Sequence, residues 1–171
     1  GRIAVILLRE LDNHQNEHRK QRAMRPIPEA VDTLIHPGWI VPIIPQGDVL
    51  TGFSLAVKDR KIVAIVATEE TASIEAAHHY HLPEHLVMPG LINCHGHAAM
   101  ALLRGYADDQ ALAPWLEKHI WPAEAAHVDG EFVADGATLA ITEMLRSGTT
   151  CFSDMYLFPD ITAQIATDLG M

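Results

Sequence analysis

The segment that decides the fold is LVMPGLINCHGH, residues 86–97. It is an apolar run, typical of a buried strand, and it ends in two histidines one residue apart, His95 and His97. Side chains at positions i and i+2 of a strand point to the same side, so both imidazoles can face one point. Imidazole binds zinc, iron and nickel ions, and α/β barrels build their active sites at the carboxyl ends of strands. The segment therefore predicts a strand that carries two ligands of one metal ion.

A His-x-His pair also occurs in structural positions, so the surrounding residues decide its meaning. Pro89-Gly90 precedes the core of the strand, Asn93 precedes the pair, and the small residues Ala98 and Ala99 follow it. The resulting stretch VMPGLINCHGHAAM, residues 87–100, resembles the first barrel strand of the amidohydrolase superfamily. It is most similar to the branch that holds S-adenosylhomocysteine and 5′-methylthioadenosine deaminases, with chlorohydrolases and guanine or cytosine deaminases as relatives.

The resemblance runs from about residue 31 to residue 171 and is strongest at 88–97, 115–124 and 147–155. It implies an α/β fold in which a β-sandwich segment, residues 24–85, precedes the first two βα units of a metal-dependent (β/α)8 barrel, residues 86–171. A complete barrel takes about 250 residues, and this chain has 171, so the barrel is expected to be incomplete here. Residues 1–23 are interpreted as an extension or tag, with a native amino-terminal helix as the alternative.

Residue patterns before the His pair predict mainly β structure. Short strands are expected at 33–35 and 39–44, broken by Pro37-Gly38, and residues 53–58 and 61–66 alternate as a hairpin does. Residues 68–84 are interpreted as a polar linker. Its histidines (His78, His79, His81 and the following His85) are expected to lie on the surface, with a metal cluster as the less favoured alternative.

After the His pair the pattern changes to β followed by α. Apolar residues spaced by four predict an amphipathic helix over 129–147, with Asp129 as its amino-terminal cap and Gly148 just past its end. A second strand is expected at 149–152 and closes at Ser153-Asp154. Asp154 is interpreted as a residue that caps a loop or supports the site, and not as a metal ligand. Pro159 suits the first turn of a further helix.

A catalytic zinc site uses three protein ligands and keeps one position for water. His95 and His97 would supply two of them. The resemblance places the other ligands and the proton-shuttling glutamate on later strands, so no catalytic residue is expected within this chain. The expected cofactor is Zn²⁺, with another divalent metal such as Fe²⁺ as the alternative. The resemblance implies that activated water attacks the amino-bearing carbon of a purine ring and releases ammonia.

Two further residues bear on the substrate. Trp115 and Glu124 stand at positions where, by resemblance to the nucleoside deaminases, a tryptophan and a ribose-binding glutamate are found. A carboxylate accepts hydrogen bonds from two neighbouring hydroxyls, and an indole can cover a flat ring. From the residues alone, Trp115 could equally anchor its short helix, and Glu124 could be a solvated carboxylate after Pro122.

The resemblance thus predicts a metal-dependent hydrolase that deaminates adenine nucleosides, namely S-adenosylhomocysteine, 5′-methylthioadenosine or adenosine, as part of a longer enzyme. One alternative is a related amidohydrolase acting on a free base or triazine, as guanine or cytosine deaminases and chlorohydrolases do. The other alternative is an inactive fragment, because two ligands do not complete a zinc site. Glu124 favours nucleosides, since a free base has no ribose.

Composition excludes several other classes. The formal net charge of −10 argues against nucleic acid and anionic membranes as partners. The two cysteines, Cys94 and Cys151, lie in apolar runs and are expected to be buried free thiols. The apolar run at residues 3–8 is too short to span a membrane and is a poor signal peptide. A cytoplasmic enzyme with a small-molecule substrate is expected, and homo-oligomer formation stays open.

Overall fold

The structure, a computed structural model, describes residues 3–7, 29–44 and 46–171, and of residues 3–7 it describes the backbone only. The chain has a mixed α/β fold with two compact units, Gly1–Gly90 and Leu91–Met171. Most of the interpreted extension, residues 1–23, lies outside the described residues. Within it, the backbone of Ile3–Leu7 pairs with a later strand.

The first unit is a five-stranded sheet. Its strands are β1 (Ile3–Leu7), β2 (Ala30–Ile40), β3 (Phe53–Lys58), β4 (Lys61–Ala67) and β5 (Glu75–Pro89), in the order β1-β5-β2-β3-β4. The β2 and β5 strands are parallel, and the other neighbours are antiparallel. A 3₁₀ helix at Thr68–Ser73 connects β4 to β5.

The predicted break at Pro37-Gly38 is wrong, because β2 continues through it. The register between β2 and β5 shifts between Pro37 and Trp39, so the proline, which has no N–H to donate, lies at an irregularity of the ladder. Gly38 is needed there, since a Cβ atom would stand 2.2 Å from the carbonyl oxygen of Pro83. The sheet therefore accommodates the dipeptide with a bulge.

The predicted hairpin is confirmed by β3 and β4. Its two turn residues, Asp59 and Arg60, both have positive φ angles, 49° and 62°. This is the conformation that two-residue hairpin turns need, usually with glycine. The backbone N–H of Asp59 donates a hydrogen bond of 2.7 Å to Asp32 Oδ2, which helps to hold the turn without glycine.

The predicted linker at residues 68–84 is wrong, because most of it forms β5. This strand lies between β1 and β2 in the sheet; its residues 75–82 pair with β2, whereas β1 pairs only with residues 85–89. Its polar side chains are mostly exposed, so the sequence pattern lacks the apolar residues by which strands are recognised. Residues 86–89, expected to start the barrel strand, also belong to β5.

The second unit pairs two parallel strands, β6 (Leu91–Gly96) and β7 (Thr149–Asp154). The chain between these strands begins with a 3₁₀ helix (Ala98–Leu103). A continuous helical segment follows, made of α1 (Leu112–Trp115), a π-helical turn (Leu116–Ile120) and α2 (Trp121–His127). The α3 helix (Gly130–Arg146) comes last. The last helix, α4, is Pro159–Asp168. The parallel pairing and the α3 helix are as predicted.

The ends of α3 confirm the capping predictions. The side chain of Asp129 accepts a hydrogen bond of 2.9 Å from the backbone N–H of Phe132, which satisfies one free donor of the first turn. Gly148 follows the helix with a φ of 88°, a left-handed conformation that costs glycine little. These local signals correctly placed the helix that packs behind the His pair.

Both cysteines are free, as predicted, but the prediction that they are buried is wrong. Cys151 is registered with Ile92, and Cys94 lies two residues further along β6, so the three share one face of the two-stranded sheet. Ile92 is 67% exposed, and within the described second unit no element covers this face. Across the same described part of the chain, no helix is long and apolar enough to cross a membrane.

Candidate active site

The His pair lies at the carboxyl end of β6. His95 is in the strand, and His97 follows it with φ −132° and ψ 72°, immediately before the 3₁₀ helix. Their Nε2 atoms are 3.3 Å apart, and the ring planes meet at 66°. Both side chains are exposed. The backbone N–H of His95 donates a 3.2 Å hydrogen bond to Asn93 Oδ1, which fixes the end of the strand.

The geometry of this pair suits two ligands of one zinc ion. Zinc–imidazole bonds are about 2.0–2.1 Å long, so two ligand nitrogens on a tetrahedral ion lie about 3.4 Å apart. The observed separation is 3.3 Å. Among the described residues, the one group of three ligating side chains that could hold an ion lies elsewhere, at His36, His79 and His81. The end of β6 thus offers two imidazole nitrogens that could bind one ion together.

Asp154 connects the ends of the two strands. Its Oδ2 accepts a 2.8 Å hydrogen bond from the backbone N–H of Ala98, next to His97. The N–H of Met155 donates a 3.0 Å bond to the carbonyl of Gly96. Oδ1 of Asp154 is buried without a hydrogen-bond partner, which leaves an acceptor unpaired at the strand ends. The geometry matches the interpretation of Asp154 as a support of the loop.

Glu124, in α2, is brought to the same end of the second unit through Tyr156. The Tyr156 hydroxyl donates a 2.7 Å hydrogen bond to Glu124 Oε1. The Tyr156 ring also meets the His97 ring edge-on, with centroids 6.1 Å apart. A chain of contacts therefore joins the predicted ribose-binding carboxylate to the predicted metal ligand, although 27 positions separate them in sequence.

Tyr156 was not predicted from the sequence. The signal that could have found it is its position two residues after Asp154, just past the carboxyl end of β7. Partial burial raises the pKa of the Tyr156 hydroxyl, and so do its hydrogen bond to Glu124 and the charges of Glu124 and Asp154. The phenol therefore stays protonated at neutral pH and remains a donor to the carboxylate.

Trp115 is half-buried in α1, and its indole N–H donates a 3.1 Å hydrogen bond to the carbonyl of Tyr106. This bond fixes the loop that follows the 3₁₀ helix. The ring's faces are not used by that bond, so a second role in covering a substrate stays a prediction.

Arg104 is engaged within the protein. Its guanidinium donates two hydrogen bonds, of 3.0 and 2.5 Å, to the carboxylate of Glu143 in α3. This pairing raises the pKa of Arg104 and lowers the pKa of Glu143. Glu143 and His97 both line an open cleft of about 460 Å³, together with Asn93, Gly96, Ala98, Ala101, Ala140, Met144, Ser147 and Phe152.

Gly136 sets how closely α3 approaches the residues after His97. A Cβ atom on Gly136 would stand 2.4 Å from the carbonyl oxygen of Ala99 and 2.7 Å from its Cα. Both neighbours are backbone atoms, so the clash cannot be relieved by a side-chain rotation. The absence of a side chain at Gly136 therefore lets the 3₁₀ helix pack directly on α3 and positions His97 at its start.

We expect Gly136→Ala to destabilise the protein by about 1–3 kcal/mol, the usual cost of overpacking. A loss of stability would be informative, because glycine-to-alanine changes inside helices normally stabilise by about 0.5–1 kcal/mol. Urea unfolding would measure the change, with Leu139→Ala, on the more exposed side of α3 (40% exposed), as the control. An increase in the unfolding midpoint of Gly136→Ala would contradict the close packing.

Part of the chain is similar to a known protein family. Residues 86–169 match the sequence profile of the Amidohydrolase family. This matched part of the chain, which contains the His pair, is similar to that family, so the resemblance predicted from the sequence is confirmed.

The particular relatives are deaminases. The chain is 50% identical over 141 residues to a 5-methylthioadenosine/S-adenosylhomocysteine deaminase of Saccharophagus degradans, covering 82% of this chain and 32% of that protein. It is 47% identical over 144 residues to a 5′-deoxyadenosine deaminase of Methanosarcina mazei, with the same coverage. The crystal structure of an adenosine deaminase from Xanthomonas campestris, with bound zinc, matches with a TM-score of 0.82 and 46% identity, over 85% of this chain and 33% of that one. The chain thus spans about a third of the length of these relatives.

Proposed function

We propose that this chain is the amino-terminal part of a zinc-dependent amidohydrolase that deaminates adenine nucleosides, such as 5′-methylthioadenosine, S-adenosylhomocysteine or adenosine. The observation that carries the proposal is the contact chain from His97 through Tyr156 to Glu124. Through Tyr156 it connects the carboxylate proposed to bind the diol to one of the two histidines proposed to bind the metal. Relatives whose names specify adenine-nucleoside deaminases support this substrate class.

Each of the two compact units corresponds to a different part of the proposed enzyme. The first unit, predicted as residues 24–85, corresponds to the β-sandwich segment that flanks the barrel, and the strand β5 extends it to residue 89. The second unit corresponds to the first two βα units: β6, the helices up to α3, then β7 and α4. The later strands of the barrel would supply the remaining metal ligands and the proton-shuttling glutamate.

His95 and His97 would hold the metal through their Nε2 atoms. When bound, the zinc ion supplies Lewis-acid chemistry that activates water for attack on the amino-bearing ring carbon. Asn93 and Asp154 hold the backbone on either side of the pair through bonds to the N–H groups of His95 and Ala98. Fe²⁺ is the alternative metal, since imidazole suits both ions.

Glu124 would bind the sugar. A carboxylate can accept hydrogen bonds from the 2′ and 3′ hydroxyls of a ribose together. Tyr156 donates to Oε1, so it holds the carboxylate in one orientation while the remaining lone pairs stay available. Trp115 is proposed to cover the nucleoside in addition to anchoring its loop. No described residue of this chain is assigned the proton transfer.

The two alternative substrate classes are free bases and triazines. A free base or a triazine has no ribose, so an enzyme for those substrates would gain nothing from the Glu124–Tyr156 pair.

The acidic chain and the purine substrate together favour a small-molecule enzyme of the cytoplasm without nucleic-acid or membrane partners. Assembly into homo-oligomers is compatible with the site.

The proposal is tested by measuring ammonia release by the enzyme that completes the barrel. We expect turnover of adenine nucleosides at about 1 per second or more, within the usual range of enzymes, and far slower turnover of adenine, guanine, cytosine and triazines. The 171-residue chain alone, with added zinc, is expected to show no turnover. Preferred turnover of a free base or a triazine would overturn the substrate assignment, and activity of the chain alone would overturn the need for later strands.

A further inference from the structure

Three histidines of the first unit meet on one face of its sheet. His36 lies in β2, and His79 and His81 lie in the adjacent parallel strand β5. His81 is registered directly with His36, and His79 with Leu34, two residues before His36. Because side chains alternate along a strand and registered neighbours share a side, the three imidazoles project from the same face.

Their ligating atoms are close together. One ring nitrogen from each histidine lies within 4.8 Å of those of the other two. His36 Nε2 and His79 Nδ1 are 3.4 Å apart, the separation expected for two nitrogens bound to one zinc ion with bonds of about 2.0–2.1 Å. His36 and His81 are stacked with centroids 4.6 Å apart.

His36 is held in place by a polar network beneath it. Its Nδ1 shares a 2.8 Å hydrogen bond with the hydroxyl of Ser54, which in turn shares a 2.9 Å bond with Thr68. Ser54 is fully buried. A hydrogen bond to one ring nitrogen that orients the other is the usual arrangement around a metal-binding histidine. The network therefore directs His36 Nε2 toward His79.

Burial lowers the pKa of His36, and the neighbouring His81 and His79 lower it further, because positive rings at these distances repel one another. His36 therefore favours its neutral form, the form in which an imidazole binds a metal.

We propose that His36, His79 and His81 form a second metal site, which binds a divalent transition-metal ion of the zinc, nickel or copper type. It is separate from the His95–His97 pair and uses only residues of the first unit. The three rings are now within 10° of parallel, and a metal lies in the plane of each ring that binds it. Binding therefore requires rotation about χ2 of the exposed His79 and His81, a torsion with a broad minimum.

The test uses the 171-residue chain with His14, His18, His95 and His97 replaced by alanine, so that these four histidines cannot contribute. Zinc is titrated into the metal-free protein in an isothermal calorimeter. We expect one equivalent to bind, and we expect His79→Ala and His81→Ala each to weaken binding by about tenfold or more, since each removes a direct ligand. Both side chains are exposed, so the fold should persist in each variant, which circular dichroism checks.

His78→Ala is the matched control. His78 is exposed in the same strand, but it projects from the opposite face because neighbouring residues alternate. It should bind zinc as the parent does. No zinc binding by the parent protein, or an equal loss in His78→Ala, would overturn the proposal. NMR spectra should also show the imidazole signals of His36, His79 and His81 shifting on zinc addition, while those of His119 and His127 do not.

Discussion

Replacing either His95 or His97 with alanine is expected to remove the catalytic metal from the complete enzyme and to reduce kcat/KM by about a thousandfold or more. Changing a residue that only supports a ligand costs about 10–100-fold, so losing a ligand should cost more. Their Nε2 atoms are 3.3 Å apart, so the two are expected to bind the ion as a pair, and losing either one should weaken its binding. Zinc per polypeptide, measured by elemental analysis, and steady-state deamination of 5′-methylthioadenosine give the two readouts.

His127→Ala is the matched control for this prediction. His127 is an exposed histidine at the end of α2 in the same unit, so its replacement removes an imidazole without touching the pair. Metal content and activity should stay at the level of the unchanged enzyme. If both His95→Ala and His97→Ala keep their full zinc content, the pair is not the metal site. Variants should be compared at matched thermal stability, so that loss of metal is not confused with unfolding. The metal count also includes any ion held by the first unit, so the His79→Ala variant gives that background.

Local signals in the sequence predicted much of the second unit. The bounds of α3 can be predicted because Asp129 caps its first turn and Gly148 follows its last one. Each of these residues acts on helix backbone a few positions away. The His pair was likewise readable, because the two residues that must converge are neighbours on one strand. A sequence pattern can predict a feature that is set by residues only a few positions apart along the chain.

Features that depend on pairing between distant segments were missed. The β5 strand is stabilised by ladders to β1 and β2 on both sides, whereas its own residues are polar and exposed enough to look like a linker. The cluster of His36, His79 and His81 follows from the same register, which the sequence does not specify. The cysteines were misjudged for a related reason: an apolar run predicts a strand but not which of its faces another element covers.

The Tyr156–Glu124 hydrogen bond shows the same limit at the site. Glu124 is predicted by the resemblance to nucleoside deaminases, but nothing near it in sequence specifies the tyrosine that orients it. Tyr156 arrives from the end of β7, on the other side of α3 in the chain. A parallel sheet brings the residues after its strands together at one edge, so such partners can be searched for once the strands are known.

The Glu124→Ala variant of the complete enzyme is expected to lose about ten- to a hundredfold or more in kcat/KM for a ribonucleoside. A hydrogen bond to a charged group contributes roughly 1.5–3 kcal/mol, and about 1.4 kcal/mol corresponds to a tenfold change. Tyr156→Phe removes the 2.7 Å bond that orients the carboxylate but leaves the carboxylate itself. The kcat/KM of Tyr156→Phe for a ribonucleoside should also fall, but by less than that of Glu124→Ala, and mainly through a higher KM.

A comparison of ribonucleosides with 2′,3′-dideoxy analogues separates sugar binding from support of the fold. If Glu124 binds the ribose hydroxyls, the parent enzyme should strongly prefer the ribonucleoside, and Glu124→Ala should lose most of that preference, because the analogue never made those bonds. Glu117→Ala, which removes an exposed carboxylate of the same helical segment, should keep the preference of the parent. Equal losses for both substrates in Glu124→Ala would mean that the carboxylate holds Tyr156 and its strand end in place and does not contact the sugar.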